Sequence, residues 1–173
     1  MEGQMRFDKC LAFILKEEGG YVNHPEDPGG ITNLGVTKTS WERWVGKTVT
    51  EADMRKLTPD LVKPLYKWRY WDRVRGDELP VGVDLALMDF AVNSGPSAAI
   101  RCLQVVLQVE VDGIFGPDTM AALWKEDPNM TIARLCDARE DFLRSLPHFA
   151  TFGRGWMNRL ARVMSASLAA RYN

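Results

Sequence analysis

Residues 81–92 read VGVDLALMDFAV, and this segment limits what the rest of the chain can become. Wound as a helix, it is apolar on nearly every side, so it has no face suited to solvent. Such a helix has to be enclosed by other helices, and it is predicted to be central. Asn93, Ser94 and Gly95 end it; Asn93 there is either a cap or an amide aimed at substrate. The remaining segments can supply the enclosure. TEADMRKL opens on Thr50, an N-capping residue with Asp53 three positions on. Further helices are predicted over residues 97–107, 131–146 and 155–171, with Pro59, Pro64 and Pro128 as punctuation. No linker of real length separates these pieces, so the chain is read as one compact unit, 1–173. Its 173 residues suffice for a sound core, and 46% hydrophobic with 26% charged residues is ordinary for a globular protein.

A second feature bears on chemistry. Residues 15–41 read LKEEGGYVNHPEDPGGITNLGVTKTSW. Before Gly19, the apolar residues Phe7, Leu11, Ile14 and Leu15 recur on one face of a helix. Glu18 follows Leu11, Ile14 and Leu15 by seven, four and three residues, so it lies near the centre of that face, with Glu17 at its shoulder. Gly19 and Gly20 then stop the helix. A carboxylate aligned with a core stripe is expected to be partly desolvated and so raised in pKa, as a general acid for glycosidic cleavage requires. Spacing alone leaves open that Glu18 simply points into solvent. Asp27 follows in a Pro/Gly-rich loop, either as a second carboxylate for catalysis or as an ordinary turn residue. Thr32 falls in a β-branched stretch, residues 31–39, that is predicted to form a short hairpin beside the helix end.

Residues 61–71 are aromatic, with Tyr66, Trp68, Tyr70 and Trp71. Sugar rings pack on such side chains, but core filling accounts for most of them. Tyr70 and Trp71 are kept as candidate sugar contacts. DGIFGP, from Asp112, lacks the alternating oxygen ligands of a calcium loop, so no metal is expected. Its glycines suit a bend, with Phe115 anchoring the loop in the core.

Charge and cysteines narrow the function classes. A net charge of −1 offers no long-range attraction to nucleic acid, membrane or anionic cell wall, and no basic stripe is present. Arg154, Arg159, Arg162 and Arg171 fall near the C-terminus, and the spacing of Arg159 and Arg162 fits a solvated helix face. Cys10, Cys102 and Cys136 show neither metal nor disulfide spacing and are expected as buried free thiols, in keeping with synthesis in a reducing cytoplasm. No apolar run of about 18 residues could span a membrane. Residues 11–15 are too short for the apolar part of a signal peptide.

The motifs EGGYVN and DPGGITNLGVT resemble the signature of glycoside hydrolase family 108, the phage and bacterial N-acetylmuramidases. YWDRVRGDELPVGVDLALMDFAVNSGPSAAIRCLQ, residues 70–104, is similar to the same family's central segment. VDGIFGPDTMAAL resembles its predicted peptidoglycan-binding part, and FGRGWMNRLARV its closing segment. The resemblance implies a mainly α, lysozyme-like fold: a helical lobe plus a small lobe with a short β-hairpin near the active-site cleft. It implies a muramidase part over residues 5–90 and a helical, peptidoglycan-binding-like part over residues 91–173.

By the same resemblance, Glu18 is the catalytic acid, with Asp27 and Thr32 completing an order similar to that of phage-type lysozymes. The gap from Asp27 to Thr32 is about one residue shorter here. Tyr21, Asn23 and Asn93, within the matching stretches, join Tyr70 and Trp71 as candidate substrate contacts. The implied reaction is hydrolysis of the β-1,4 bond between N-acetylmuramic acid and N-acetylglucosamine, without a cofactor. The implied partner is bacterial peptidoglycan. A monomeric enzyme is expected, made in the bacterial cytoplasm without an export signal, released through a holin pore and acting in the periplasm or outside the cell. A non-catalytic wall-binding protein and a chitin or chitosan hydrolase are the alternatives.

Overall fold

The structure, a computed structural model, describes residues 2–22 and 30–170. By its internal contacts the chain forms two compact units, residues 8–69 and residues 1–7 with 70–173. Helix α1 (Glu2–Glu18) contributes to both. Its Phe7, Leu11, Ile14 and Leu15 are buried, the stripe expected from their spacing, and Cys10 is buried as well. The helix ends where Gly19 adopts φ 76°, a left-handed conformation that costs glycine little.

The smaller unit continues with a two-stranded antiparallel hairpin, β1 (Thr32–Asn33) and β2 (Val36–Thr37). Three helices follow: α2 (Lys38–Val45), α3 (Glu51–Arg55) and α4 (Pro59–Tyr66). The Thr37 side chain caps α2 by accepting from the Ser40 amide. Thr50 and Asp53 form a reciprocal capping box at α3, as their spacing predicts. The amide and hydroxyl hydrogen bonds from Thr50 hold the Asp53 carboxyl below the usual carboxylate range. Pro59 starts α4, and the helix runs on through Pro64. Lys67–Trp71 then widens into a π-helix.

In the larger unit α5 (Val83–Ser94) packs against α6 (Pro96–Leu107), α8 (Pro128–Arg144) and α9 (Phe149–Ala169). Every residue from Val83 to Ala91 is buried, so the segment that dominates the sequence is the centre of this unit. It starts two residues later than its apolar pattern predicts. Val81 is exposed, and the Asp84 carboxylate accepts from the Gly82 and Leu85 amides at 2.8 Å each. Arg6 pairs with the same carboxylate at 3.2 Å. Burial raises the Asp84 pKa, against the lowering effect of those amides and of Arg6.

Several expected boundaries shift for identifiable reasons. Pro128 does not break a segment: it occupies the first turn of α8, capped by the Asp127 carboxylate. Pro96 starts α6 in the same way. Helix α9 begins at Phe149 rather than near Gly155 and runs through Gly153, where a β-carbon would meet the Phe149 ring. Arg159 is also not on a solvated face. Its guanidinium bonds the buried Asp89 carboxylate at 2.7 Å, and Arg139 bonds the other oxygen at 2.8 Å.

Helix α7 (Pro117–Leu123) follows the DGIFGP loop. Buried Gln104 pins that loop, donating to the Asp112 carboxylate at 2.7 Å and accepting from the Gly113 amide at 2.8 Å, while Phe115 is buried beneath it. Cys10 and Cys136 are buried and Cys102 half-buried, all as free thiols. Among the described residues no helix is long and apolar enough to cross a membrane.

Candidate active site at the end of the first helix

Glu18 is the last residue of α1 and is half-buried. The chain leaving it is fixed almost at once. Val22 donates to the Thr32 carbonyl at 2.8 Å and accepts from the Thr32 amide at 2.9 Å, so the segment after the acid lies along β1. Thr32 pairs with Thr37 and Asn33 with Val36, leaving Leu34 and Gly35 as a two-residue turn. Their φ values are 50° and 71°. Positive φ at both central positions marks a type I′ turn, whose twist suits a tight hairpin. Glycine adopts such a conformation readily, whereas leucine is strained in it.

The turn bears directly on the acid. A β-carbon on Gly35 would lie 3.0 Å from both Cγ and Oε2 of Glu18, and 2.5 Å from the Tyr66 hydroxyl. Carboxylate, phenol and turn backbone therefore meet around one point that only glycine leaves open. Tyr66 is almost fully buried at the end of α4, and its hydroxyl donates to the Leu34 carbonyl at 2.9 Å. That bond satisfies the peptide group next to the strained residue. Behind the turn, buried Asn33 donates its amide to the Met54 carbonyl at 2.8 Å and ties β1 to α3. The result is a carboxyl group at a helix end, partly withdrawn from water, braced by a rigid hairpin and a buried phenol. Such a group is suited to moving a proton to or from a bound oxygen.

The sequence candidates distribute unevenly around this centre. Thr32 stands on the hairpin, with its hydroxyl 3.4 Å from the Gly30 carbonyl. Tyr21 donates to the Glu51 carboxylate at 2.8 Å, and the Arg55 guanidinium covers its ring at 4.0 Å, so one ring face is already occupied. Asn23 and Asp27 lie outside the described residues.

Tyr70, Trp71 and Asn93 belong to the other compact unit. Tyr70 is half-buried there. Trp71 is fully buried, packs against Phe7 and donates its indole N–H to Asp77 at 3.0 Å. A ring so enclosed has no face open to a sugar; it is core, which corrects its place among the sugar contacts. Asn93 is exposed, and its amide donates to the Asp89 carbonyl one turn back in α5 at 2.8 Å.

Tyr66 and Gly35 were absent from the sequence candidates. The LG step between Thr32–Asn33 and the β-branched Val36–Thr37 is a usable hairpin signal. The phenol that locks it comes from 32 residues downstream of Leu34, and no local pattern reports that.

Known proteins resemble this chain over almost its full length. Residues 11–95 match the family model described as glycosyl hydrolase 108, and residues 98–161 match one described as a predicted peptidoglycan domain. The solved structure of Brucella abortus SagA is similar over 98% of both chains, with 43% sequence identity and a TM-score of 0.88. No curated protein matches. These similarities support a glycoside hydrolase acting on or binding peptidoglycan. The chain belongs to the glycosyl hydrolase 108 family.

Proposed function

We propose that the chain is an N-acetylmuramidase of the endolysin type, cleaving the β-1,4 bond between N-acetylmuramic acid and N-acetylglucosamine with Glu18 as general acid. The observation that carries this reading is the Glu18 carboxyl packed at the Leu34–Gly35 turn beside the Tyr66 hydroxyl, inside the segment matched by the hydrolase family model. In this reading Glu18 protonates the leaving oxygen as the glycosidic bond breaks. Tyr66 and the turn hold it in place; they are positioning groups. Asp27 orients the attacking water or stabilises the oxocarbenium-like transition state, and Thr32 takes part in the same chemistry; Tyr21, Asn23, Tyr70 and Asn93 are each proposed as glycan contacts. Asp27→Asn is then expected to keep the melt and lose kcat by orders of magnitude; a near-normal kcat would remove Asp27 from the mechanism.

The substrate lies outside the cytoplasm, so the reading includes a route to it: synthesis in the bacterial cytoplasm, release through a holin pore and action on the wall as a monomer.

Mass spectrometry of a digested wall is the direct test. New reducing ends on N-acetylmuramic acid support the proposal; reducing ends on N-acetylglucosamine, or activity confined to chitin, would reject it. Glu18→Gln is expected to remove nearly all lysis with the fold intact, whereas Glu17→Gln leaves most of it. The match to a peptidoglycan domain also favours a second reading, a wall-binding protein without turnover. That protein would sediment with walls and leave their turbidity unchanged.

A further inference from the structure

Two tryptophans of the smaller unit are unexplained by its core. Trp44 on α2 is 37% exposed and Trp68 in the π-helix is 60% exposed. Their rings nonetheless meet, with centroids 5.6 Å apart and planes inclined by 37°. Large aromatic surface left in water is costly, and a touching exposed pair is an assembled patch rather than a scattered residue. Trp68 lies in the π-helical turn, two residues after buried Tyr66, and faces solvent. π-Helical turns recur at functional sites.

The patch has a polar rim. Arg69 donates to the Ser40 hydroxyl at 3.2 Å, and Ser40 stands one helical turn before Trp44 on α2. A cation and a hydroxyl are thus held beside the aromatic pair.

We propose that Trp44 and Trp68, with Arg69 at the rim, form a second saccharide-holding surface that grips a glycan strand of peptidoglycan; the proposal rests on peptidoglycan being the substrate. Adjacent inclined rings offer two faces for the C–H sides of successive sugars. The lactyl and peptide carboxylates that decorate such a strand match the charge of Arg69. Both tryptophans lie within the segment that matches the glycosyl hydrolase model. The surface anchors the enzyme on an insoluble polymer and leaves the chemistry at Glu18 untouched.

The test compares the full chain with the double variant Trp44→Ala/Trp68→Ala and the ring-keeping Trp44→Phe/Trp68→Phe. Affinity for purified sacculi is read by co-sedimentation, and turnover is read on a short soluble peptidoglycan fragment. Loss of the rings is expected to weaken sacculus binding by roughly tenfold, equivalent to about 1.4 kcal/mol. Fragment turnover is expected to stay unchanged, and the Phe pair to recover most of the binding. Unchanged sacculus affinity in a variant with a normal melt would overturn the proposal. So would ring-dependent binding to phosphatidylglycerol vesicles without ring-dependent binding to sacculi, or conversion of a dimer to monomers in sedimentation velocity. If the double alanine variant melts early, Trp68→Gln alone carries the comparison. A wild-type chain that binds sacculi but never cleaves the fragment would reject the hydrolytic reading and leave this one measurable.

Discussion

A methyl group at Gly35 would collide with the Tyr66 hydroxyl and press on the Glu18 carboxyl at the same time. It would also force alanine into φ 71°, at a cost of about 1–2 kcal/mol. Gly35→Ala is therefore expected to lower stability modestly and activity severely, because any relief of the clash displaces the acid. A melt and a kcat measured on the same preparation separate the two effects; activity falling only in step with the melt would make the turn merely structural. Tyr66→Phe is the gentler probe. It deletes the bond to the Leu34 carbonyl, worth about 1 kcal/mol, and keeps the ring in its buried place. If the phenol positions the acid, kcat drops and its pH profile shifts while KM holds. Cys136 gives a residue-scale prediction of another kind. Burial pushes its thiol up from 9.0 to about 11, so the folded chain keeps a proton that the unfolded chain releases first. The associated stability is present in full below pH 9.0 and is lost as pH rises through about 11. Urea midpoints across that range should fall more steeply in the wild type than in Cys136→Ala; parallel slopes would show that the thiol is not the titrating group.

Elements were legible wherever one face or one cap decides them. The α1 stripe ends on Glu18 because Phe7, Leu11, Ile14 and Leu15 repeat at helical spacing and Gly19 terminates the run. The capping box at α3 follows from Thr50 and Asp53 alone. The starts of α6, α8 and α9 were misplaced for a shared reason. Proline and glycine read as breakers, whereas proline is compatible with a first helical turn and α9 runs through Gly153. In α5 the apolar pattern placed the core correctly and the start wrongly, since Asp84 sets the first turn through the Gly82 and Leu85 amides. The central position of α5 has a direct consequence. Leu87 is fully buried there, and Leu87→Ala is expected to cost about 2–5 kcal/mol in a denaturant melt. A neutral result would mean that the helices around α5 collapse onto the vacated volume.

At the scale of the molecule, the sequence is least informative about contacts that join distant segments through charge. A helical fold, a hairpin after the acid and a family-like organisation can all be read from local patterns. The Asp89–Arg139–Arg159 cluster cannot, because its members stand on α5, α8 and α9 and each looks unremarkable in place. Asp89 sits in an apolar run, and Arg159 has the spacing of a solvated face. Only packing brings the two guanidiniums onto one fully buried carboxylate. That carboxylate ties α5 to both α8 and α9, so its removal is felt throughout the larger unit. Asp89→Asn keeps the shape but leaves two cations with little compensation, and the expected loss is about 3–5 kcal/mol. The charges themselves are not what the unit requires. Replacing all three members by apolar side chains of similar volume should recover most of that loss, since desolvation of the ions is then avoided. Equilibrium unfolding of the single and triple variants decides the matter. A triple variant as unstable as Asp89→Asn would mean that the ionic geometry, and not relief of an unpaired buried charge, holds α5, α8 and α9 in register.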